Sequence, residues 1–419
     1  MAARLGSGGW IRIDQALNPA SPATPQGSVL EVLGAALKLG LTSFGGPIAH
    51  LGYLRREYVE RRRWLDEHAY ADLVALCQFL PGPASSQLGI AIGTRRAGLA
   101  GGIAAWLGFT LPSAILLIAF ALATSATDVA GAGWVHGLKL AAVAVVTQAL
   151  VAMAGALTPD WPRRALAVAA AAVALGWSTP LTQLAIIVAG AIIGYQFLAA
   201  RPAPAGKPEP SPVSRRVGVA ALGAFVVLLV GLPLLSVLTG SQPVAQVDSM
   251  YRTGALVFGG GHVVLPLLHA STVDPGWVSE GQFLAGYGAA QAVPGPLFTF
   301  AAYLGAVSTV APAGWLGGVI CLAAIFLPSF LLIWGVLPFW DNLRRSTGFG
   351  RALSGTNAAV VGLLAAALYT PVWTGAVSGW VDVAVAGIAF ALLTLVRLPP
   401  IAIVALCALA GEAITIWHI

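Results

Sequence analysis

An all-α polytopic membrane protein is the fold class this sequence predicts: two inverted-topology repeats joined by one linking transmembrane helix. Three observations carry that expectation: a charge density too low for a water-facing surface, motifs written twice in the same order, and a loop-charge bias that reverses between the halves. Of 419 residues, 58% are hydrophobic and 9% charged, and the mean hydropathy is +0.84. A soluble surface needs about 25–35% charged residues, so lipid must face most of this chain. A bilayer core of about 30 Å takes roughly 20 apolar residues per helical crossing, and the chain supplies many such stretches between short polar or Pro/Gly breaks. The 50 glycines and 27 prolines suit close helix contacts and interrupted helices, whose freed backbone groups are satisfied inside protein but never against lipid.

Composition also narrows the function. The net charge of +6 sits in short loops, where topology explains it, so no nucleic-acid partner is expected. Cys77, Cys321 and Cys407 lack CxxC spacing, and the six histidines form no HxxH or HExxH pair. Disulfides, metal ions and cofactors are therefore not expected. There is no GxSxG, no P-loop and no paired-aspartate motif, so the chain is not read as an enzyme and no catalytic residue is assigned. Residues 1–27 lack an apolar run of signal-peptide length and read as a disordered cytoplasmic tail.

The duplication is the most informative feature. Phe44-Gly45-Gly46 recurs as Phe258-Gly259-Gly260, and Gln78 with Pro81-Gly82-Pro83 recurs as Gln291 with Pro294-Gly295-Pro296. Ala97-Gly98 and Gly101-Gly102 return as Ala313-Gly314 and Gly317-Gly318, Leu111-Pro112-Ser113 as Leu327-Pro328-Ser329, and Thr158-Pro159 as Thr370-Pro371. This order divides the chain into a first repeat at 28–199, a Pro-rich cytoplasmic linker at 200–216, a linking transmembrane helix at 217–244 without a first-half counterpart, and a second repeat at 245–419.

Loop charge orients the repeats. Arg55, Arg56, Arg61, Arg62 and Arg63 follow the first Phe-Gly-Gly element, and Arg95 and Arg96 follow the first Pro-Gly-Pro element. The equivalent second-half loops carry no Lys or Arg, whereas the later loop with Arg344, Arg345 and Arg351 is basic. By the positive-inside rule the halves are inverted. Loops of one sign on either side of each motif predict re-entrant hairpins at 28–58, 68–94, 246–270 and 281–306, with full kinked crossings as the alternative. Four crossings follow the hairpins in each repeat: 98–125, 134–157, 164–178 and 180–199, then 314–338, 353–370, 380–396 and 400–417. Arg397 then lies inside, the N-terminus is cytoplasmic and the C-terminus outside.

Broken helices in an inverted repeat turn helix N-termini, with unpaired N–H groups and partial positive charge, toward the bilayer interior, which is an anion site in kind. The helix after Pro81-Gly82-Pro83 opens with Ser85, Ser86 and Gln87; the one after Pro294-Gly295-Pro296 offers Thr299. Lys38 and Arg252 each lie six residues before the Phe of their motif, as compensating charges or as interface-snorkelling side chains. His262 falls near midplane, Arg95 and Arg96 suit an approach funnel, and Gln78 and Gln291 are read as facing protein, as helix-helix glue or site donors.

The FGGP/FGGG and PGP signatures with the downstream LPS, over residues 28–418, resemble the long-chain chromate ion transporter family. The resemblance implies a cytoplasmic-membrane protein that expels chromate on the proton-motive force and so confers chromate resistance. It places the motif positions at Phe44, Gly45, Gly46 and Pro47, at Pro81, Gly82 and Pro83, at Phe258, Gly259 and Gly260, and at Pro294, Gly295 and Pro296; Gly261 departs from it, standing where the first half has Pro47. The expected partner besides lipid is chromate or a related, sulfate-like oxyanion, with proton coupling and a homodimer left open. A lipid-handling membrane enzyme or flippase, and a channel, are the readings of other kinds.

Overall fold

Backbone polar groups facing lipid have to be satisfied within their own segment, and the chain is accordingly helical almost throughout. The computed structural model describes residues 2–5, 9–12, 27–44, 46–125, 133–177, 180–199, 211–257, 264–343 and 346–417. Within the segment expected to lack structure, β1 (Ala2–Leu5) and β2 (Gly9–Arg12) pair antiparallel, the only strands among the described residues. The first half comprises α1 (Val29–Thr42), α2 (Gly46–Arg55) with a wide π-type turn to Arg61, α3 (Glu67–Phe79), α4 (Ala84–Ser125), α5 (Gly133–Leu157), α6 (Trp161–Gly176) and α7 (Pro180–Phe197). The linking helix is α8 (Arg215–Thr239). The second half comprises α9 (Gln242–Leu256), α10 (Val264–Thr272), α11 (Glu280–Ala292), α12 (Phe300–Val307), α13 (Gly314–Val336), the short α14 (Trp340–Leu343), α15 (Thr347–Ala367), the single turn α16 (Thr374–Ala376), α17 (Trp380–Ala391) and α18 (Pro400–Trp417).

Side-chain oxygens set several helix starts. Ser28 accepts from the Glu31 N–H, Asp66 from Ala69, and Ser279 forms a capping box with Gln282, each satisfying an orphan donor of a first turn. The breaks are equally local. Ala97 and Gly98 leave helical geometry, Gly98 at φ 68°, and split α4 into two arms; Gly314, its repeat partner, has φ 60°.

The chain folds back at every break whose arms are described. Around Pro294-Gly295-Pro296, Phe283 meets Phe300 at 5.2 Å, Tyr287 meets Phe300 at 5.8 Å, and the Tyr303 hydroxyl donates to the Gln282 carbonyl. These pairs have nearly constant index sums, the mark of antiparallel arms. The Thr309 N–H donates to the Trp277 carbonyl at 2.8 Å, whereas a kinked helix over that span would separate its ends by about 45 Å. In the same way Ser249 and Thr253 meet Ser271 across 258–263, and Lys38 meets Glu57 across the first Phe-Gly-Gly.

Helix α5 runs past elements of both halves. Its first turns reach Glu412 and Asp382, and Lys139 comes up to Gly281 at the mouth of the α11–α12 hairpin. About two and a half to three and a half turns further on, Gln148 and Ala152 share a cavity with Phe44 and Tyr53. The halves also interlock. Gly190 and Gly194 of α7 seat on Gly355 of α15, while Gly133 and Gly137 of α5 seat on Gly411 and Cys407 of α18, small-residue contacts that let backbones approach in lipid.

Among the described residues, five helices are by length and composition long and apolar enough to cross a membrane: Ala84–Thr124, Gly133–Leu157, Arg215–Thr239, Gly314–Phe339 and Gly350–Ala376. Among the described residues the shorter apolar helices Ala185–Phe197, Trp380–Val396 and Pro400–Ile416 match the remaining expected crossings except the one at 164–178, where α6 is not among the apolar helices. Of the five long helices, α8 is the most peripheral, with 6% of its apolar window buried, so most of its side chains are left uncovered by the rest of the chain.

The fold-back at Ala97-Gly98 depends on Gly93 and Gly101, where any Cβ would overlap the other's carbonyl; Gly305 and Gly317 repeat the contact. Gly93→Val and Gly305→Val should each destabilise the protein by roughly 1–3 kcal/mol, read as a lower thermal-aggregation midpoint in detergent. Gly155→Val, with open space around it, should leave that midpoint unchanged.

Candidate functional site

The repeated Leu-Pro-Ser motif fixes where the breaks lie. Pro112 in α4 and Pro328 in α13 lack an N–H and so release backbone carbonyls one turn earlier. A Cβ at Gly40 would overlap the carbonyl of Gly108 and crowd that of Phe109, and one at Gly254 would overlap the carbonyl of Ile325. Four residues after each of these glycines stands the Phe of a Phe-Gly-Gly motif. Each of these close approaches thus seats the helix that delivers a break.

The breaks are then stitched across the halves. The Gly82 N–H donates to the Val257 carbonyl at 2.6 Å, and the Gly295 N–H donates to the Ser43 carbonyl at 2.9 Å. Val257 and Ser43 each immediately precede a Phe-Gly-Gly motif. Gly82 has φ 122° and Gly295 φ 102°, a region only glycine enters without strain. Their missing side chains leave room for the serine of the opposite half: a Cβ on Gly82 would lie 3.0 Å from Ser329 Oγ, and one on Gly295 2.8 Å from Ser113 Oγ.

Around this crossing lie buried hydroxyls without partners. Ser43, Ser86, Thr110 and Ser329 are 0–1% exposed, and their oxygens have no hydrogen-bond partner. Buried hydroxyls in that state cost free energy unless something else satisfies them. His50 of α2, 2% exposed, brings Nδ1 to 3.4 Å from Ser85 Oγ and sets its ring edge-on to Phe109. The second half is more aromatic: Phe298, Phe300 and Tyr303 fill the corresponding turns, Phe298 and Phe300 packing edge-on or tilted against Phe283, Tyr287 and Phe326, although Gln291 Nε2 just before that break is also buried without a partner. The polar chemistry belongs to the first-half break, closed by Ser329 from the second.

The model of the chromate transporter family matches residues 30–195 and, again, residues 244–412, once per half. The chain belongs to the chromate transporter family. It is 30% identical to a chromate transport protein of Pseudomonas aeruginosa, over 82% of this chain and 80% of that one. It is 28% identical to a probable chromate transport protein of Synechococcus elongatus, over 79% and 81%. An uncharacterized transporter of Bacillus subtilis is 24% identical over 41% of this chain but 79% of its own length, so it is the size of one repeat. No solved structure matches. The family consists of transport proteins, and this membrane-integral chain is one of them rather than an enzyme.

In this transporter the residues expected from sequence separate into groups. Gly82 and Gly295, each between the two prolines of its motif, reach Val257 and Ser43 of the other half through the two stitches, and Ser85 and Ser86 are buried in the turn after Pro81-Gly82-Pro83. Gln87 and Thr299, read as ligand donors, instead hold their own breaks: Gln87 Nε2 donates to the Pro81 carbonyl at 2.6 Å, and Thr299 Oγ1 to the Pro296 carbonyl at 2.7 Å. Phe44 lies at the rim of the first break, and Gly46 and Pro47 open α2. Gly45, Phe258, Gly259, Gly260 and His262 lie outside the described residues.

The expected cations each face a carboxylate. Lys38 Nζ is 2.7 Å from Glu57, which also receives Arg62, and Arg252 is 2.6 Å from Asp248. Burial works to raise the Glu57 carboxyl, but the hydrogen bonds from Lys38 and Arg62 outweigh it and hold its pKa below the usual value. Arg96 pairs with Glu31 and lies over the Trp64 ring, and Arg95 is within electrostatic reach of Asp72 and Asp66. Gln78 is exposed, which corrects the expectation that it faces protein: it sits on the outer side of α3, where no helix covers it. Sequence reasoning passed over Ser43, His50, Ser113 and Ser329 as site residues, although the repeated Leu-Pro-Ser already flagged two of them.

Gly82→Ala forces a side chain into positive φ, against Gln87 Nε2 first and Ser329 Oγ second, and should lower transport per inserted molecule at least about tenfold. At Gly295, where Ser113 Oγ is the nearest obstruction, the double variant Gly295→Ala/Ser113→Ala should recover part of the loss caused by Gly295→Ala alone, as measured by oxyanion flux in membrane vesicles.

Proposed function

We propose that this chain is a secondary carrier for a tetrahedral oxyanion, chromate, which it exports across a prokaryotic cytoplasmic membrane, conferring chromate resistance. The observation that carries the reading is the set of unpartnered, buried hydroxyls of Ser43, Ser86 and Ser329 at the crossing of two broken hairpins, in a chain whose relatives are named chromate transport proteins. Hydroxyls and the free N–H groups of the first turn of α4 suit the oxygens of an anion that has shed water.

On this reading the two repeats are inverted in the bilayer, residues 28–199 against 245–419, with 200–216 a cytoplasmic linker and α8 crossing between them. The first-half hairpins enter from the cytoplasm and the second-half hairpins from outside, so each repeat exposes the crossing to one side in turn. The N-terminus is then cytoplasmic and the C-terminus external. Export of a dianion gains about 2.3 kcal/mol per charge for each 100 mV of inside-negative potential, so the membrane potential or the wider proton-motive force suffices to drive it. Lys38 and Arg252 act by exchanging their carboxylates for the passing anion, and Arg95 and Arg96 draw it toward the first hairpin.

Inverted vesicles with the electrical and pH gradients set separately should take up chromate when the lumen is positive, with sulfate competing weakly. Sulfate uptake that chromate does not inhibit would assign a sulfate carrier instead. Lys38→Ala and Arg252→Ala should each reduce chromate flux severalfold at unchanged membrane insertion; wild-type flux in both removes them from the mechanism.

A further inference from the structure

A cavity of about 560 Å³ opens beside the first Phe-Gly-Gly break, between the first hairpin, α5 and the start of α18. Phe44 and Tyr53 form one wall, Gln148 and Val151 another, and Thr394 and Arg397 the rim. At roughly 30 Å³ per water, it holds a small anion with part of its hydration shell. Phe44 is its link to the crossing, because the preceding residue, Ser43, accepts the Gly295 stitch.

Arg397 is placed there at a conformational cost. It ends the helix after α17 with φ 61° and ψ 37°, its N–H bonded to the Leu392 carbonyl, and Pro399-Pro400 follow at once. Helices that end this way normally use Gly or Asn, and a larger side chain in the left-handed region is strained. Strain of this kind persists where the side chain serves a purpose. The guanidinium is exposed and forms none of the ion pairs found among the described residues, unlike Lys38 and Arg252.

We infer that Arg397 and this cavity form a loading site, separate from the crossing, where a tetrahedral dianion is first captured on the cytoplasmic side before it passes Phe44. The inference rests on the oxyanion reading above and adds a second, outer station to it. The positive charge offers a bidentate fork to two anion oxygens. Gln148 and Tyr53 line the way inward. The same chemistry would also hold the phosphate of an anionic lipid, since Val151, 58% exposed, borders the cavity on an apolar face.

Arg397→Gly is the decisive variant, because it removes the charge while relieving the backbone, so misfolding does not confound it. In proteoliposomes of neutral phosphatidylcholine, the half-saturating chromate concentration should rise about tenfold at near-normal maximal rate, Arg397→Lys should fall between, and the thermal midpoint should hold or rise. An unchanged half-saturation overturns the inference. So does a loss of transport confined to liposomes containing phosphatidylglycerol, which would assign the guanidinium to a lipid headgroup. Wild-type protein that moves sulfate but not chromate overturns the chromate reading alone, and Arg397 is then judged by the same shift measured with sulfate.

Discussion

A broken helix inside a membrane leaves N–H and C=O groups that lipid cannot satisfy, and the rest of this structure follows from how those groups are answered. Each Pro-Gly-Pro break donates its glycine N–H to the carbonyl that precedes the other half's Phe-Gly-Gly break. Neither half closes its own breaks alone. The two repeats therefore have to meet at their interruptions, and the glycine contacts of α7 with α15 and of α5 with α18 hold them in that register.

The symmetry of the stitches contrasts with the asymmetry of what surrounds them. In the second half, aromatic rings fill the returning turn. In the first half the same turn carries Ser85 and Ser86, with His50 beside them. A duplicated scaffold thus supports a single polar centre. Fixed structure on one side and unfilled hydrogen-bonding capacity on the other is what a site for a partly dehydrated anion requires.

Charge is kept away from that centre in the described structure. Lys38 and Arg252 are each engaged by a carboxylate near a hairpin mouth, which limits the cost of a buried ion while the site is empty. On the proposed function, an anion arriving there would meet dipoles and hydroxyls first, and would be released more readily than from a full ion pair inside the bilayer.

By itself the sequence determined the membrane class, the duplication, the linking helix and the motifs at the breaks, because low charge, apolar run length and repeated Gly and Pro are local properties that each act on their own segment. It also marked Gly82, Gly295, Ser85 and Ser86, since a helix that restarts after Pro-Gly-Pro announces its own first turn. Only the tertiary structure decided that Gly82 answers Val257 and Gly295 answers Ser43, that Ser113 and Ser329 serve the opposite half, and that Gln87 and Thr299 hold the backbone. Those are contacts between residues far apart in the chain, often with their equivalents in the other repeat, and no spacing along one strand of sequence encodes which partner a freed N–H will find. The carboxylates opposite Lys38 and Arg252, and the exposure of Gln78, were hidden for the same reason: side-chain environment depends on which helices pack alongside, and packing is settled only when both halves have folded together.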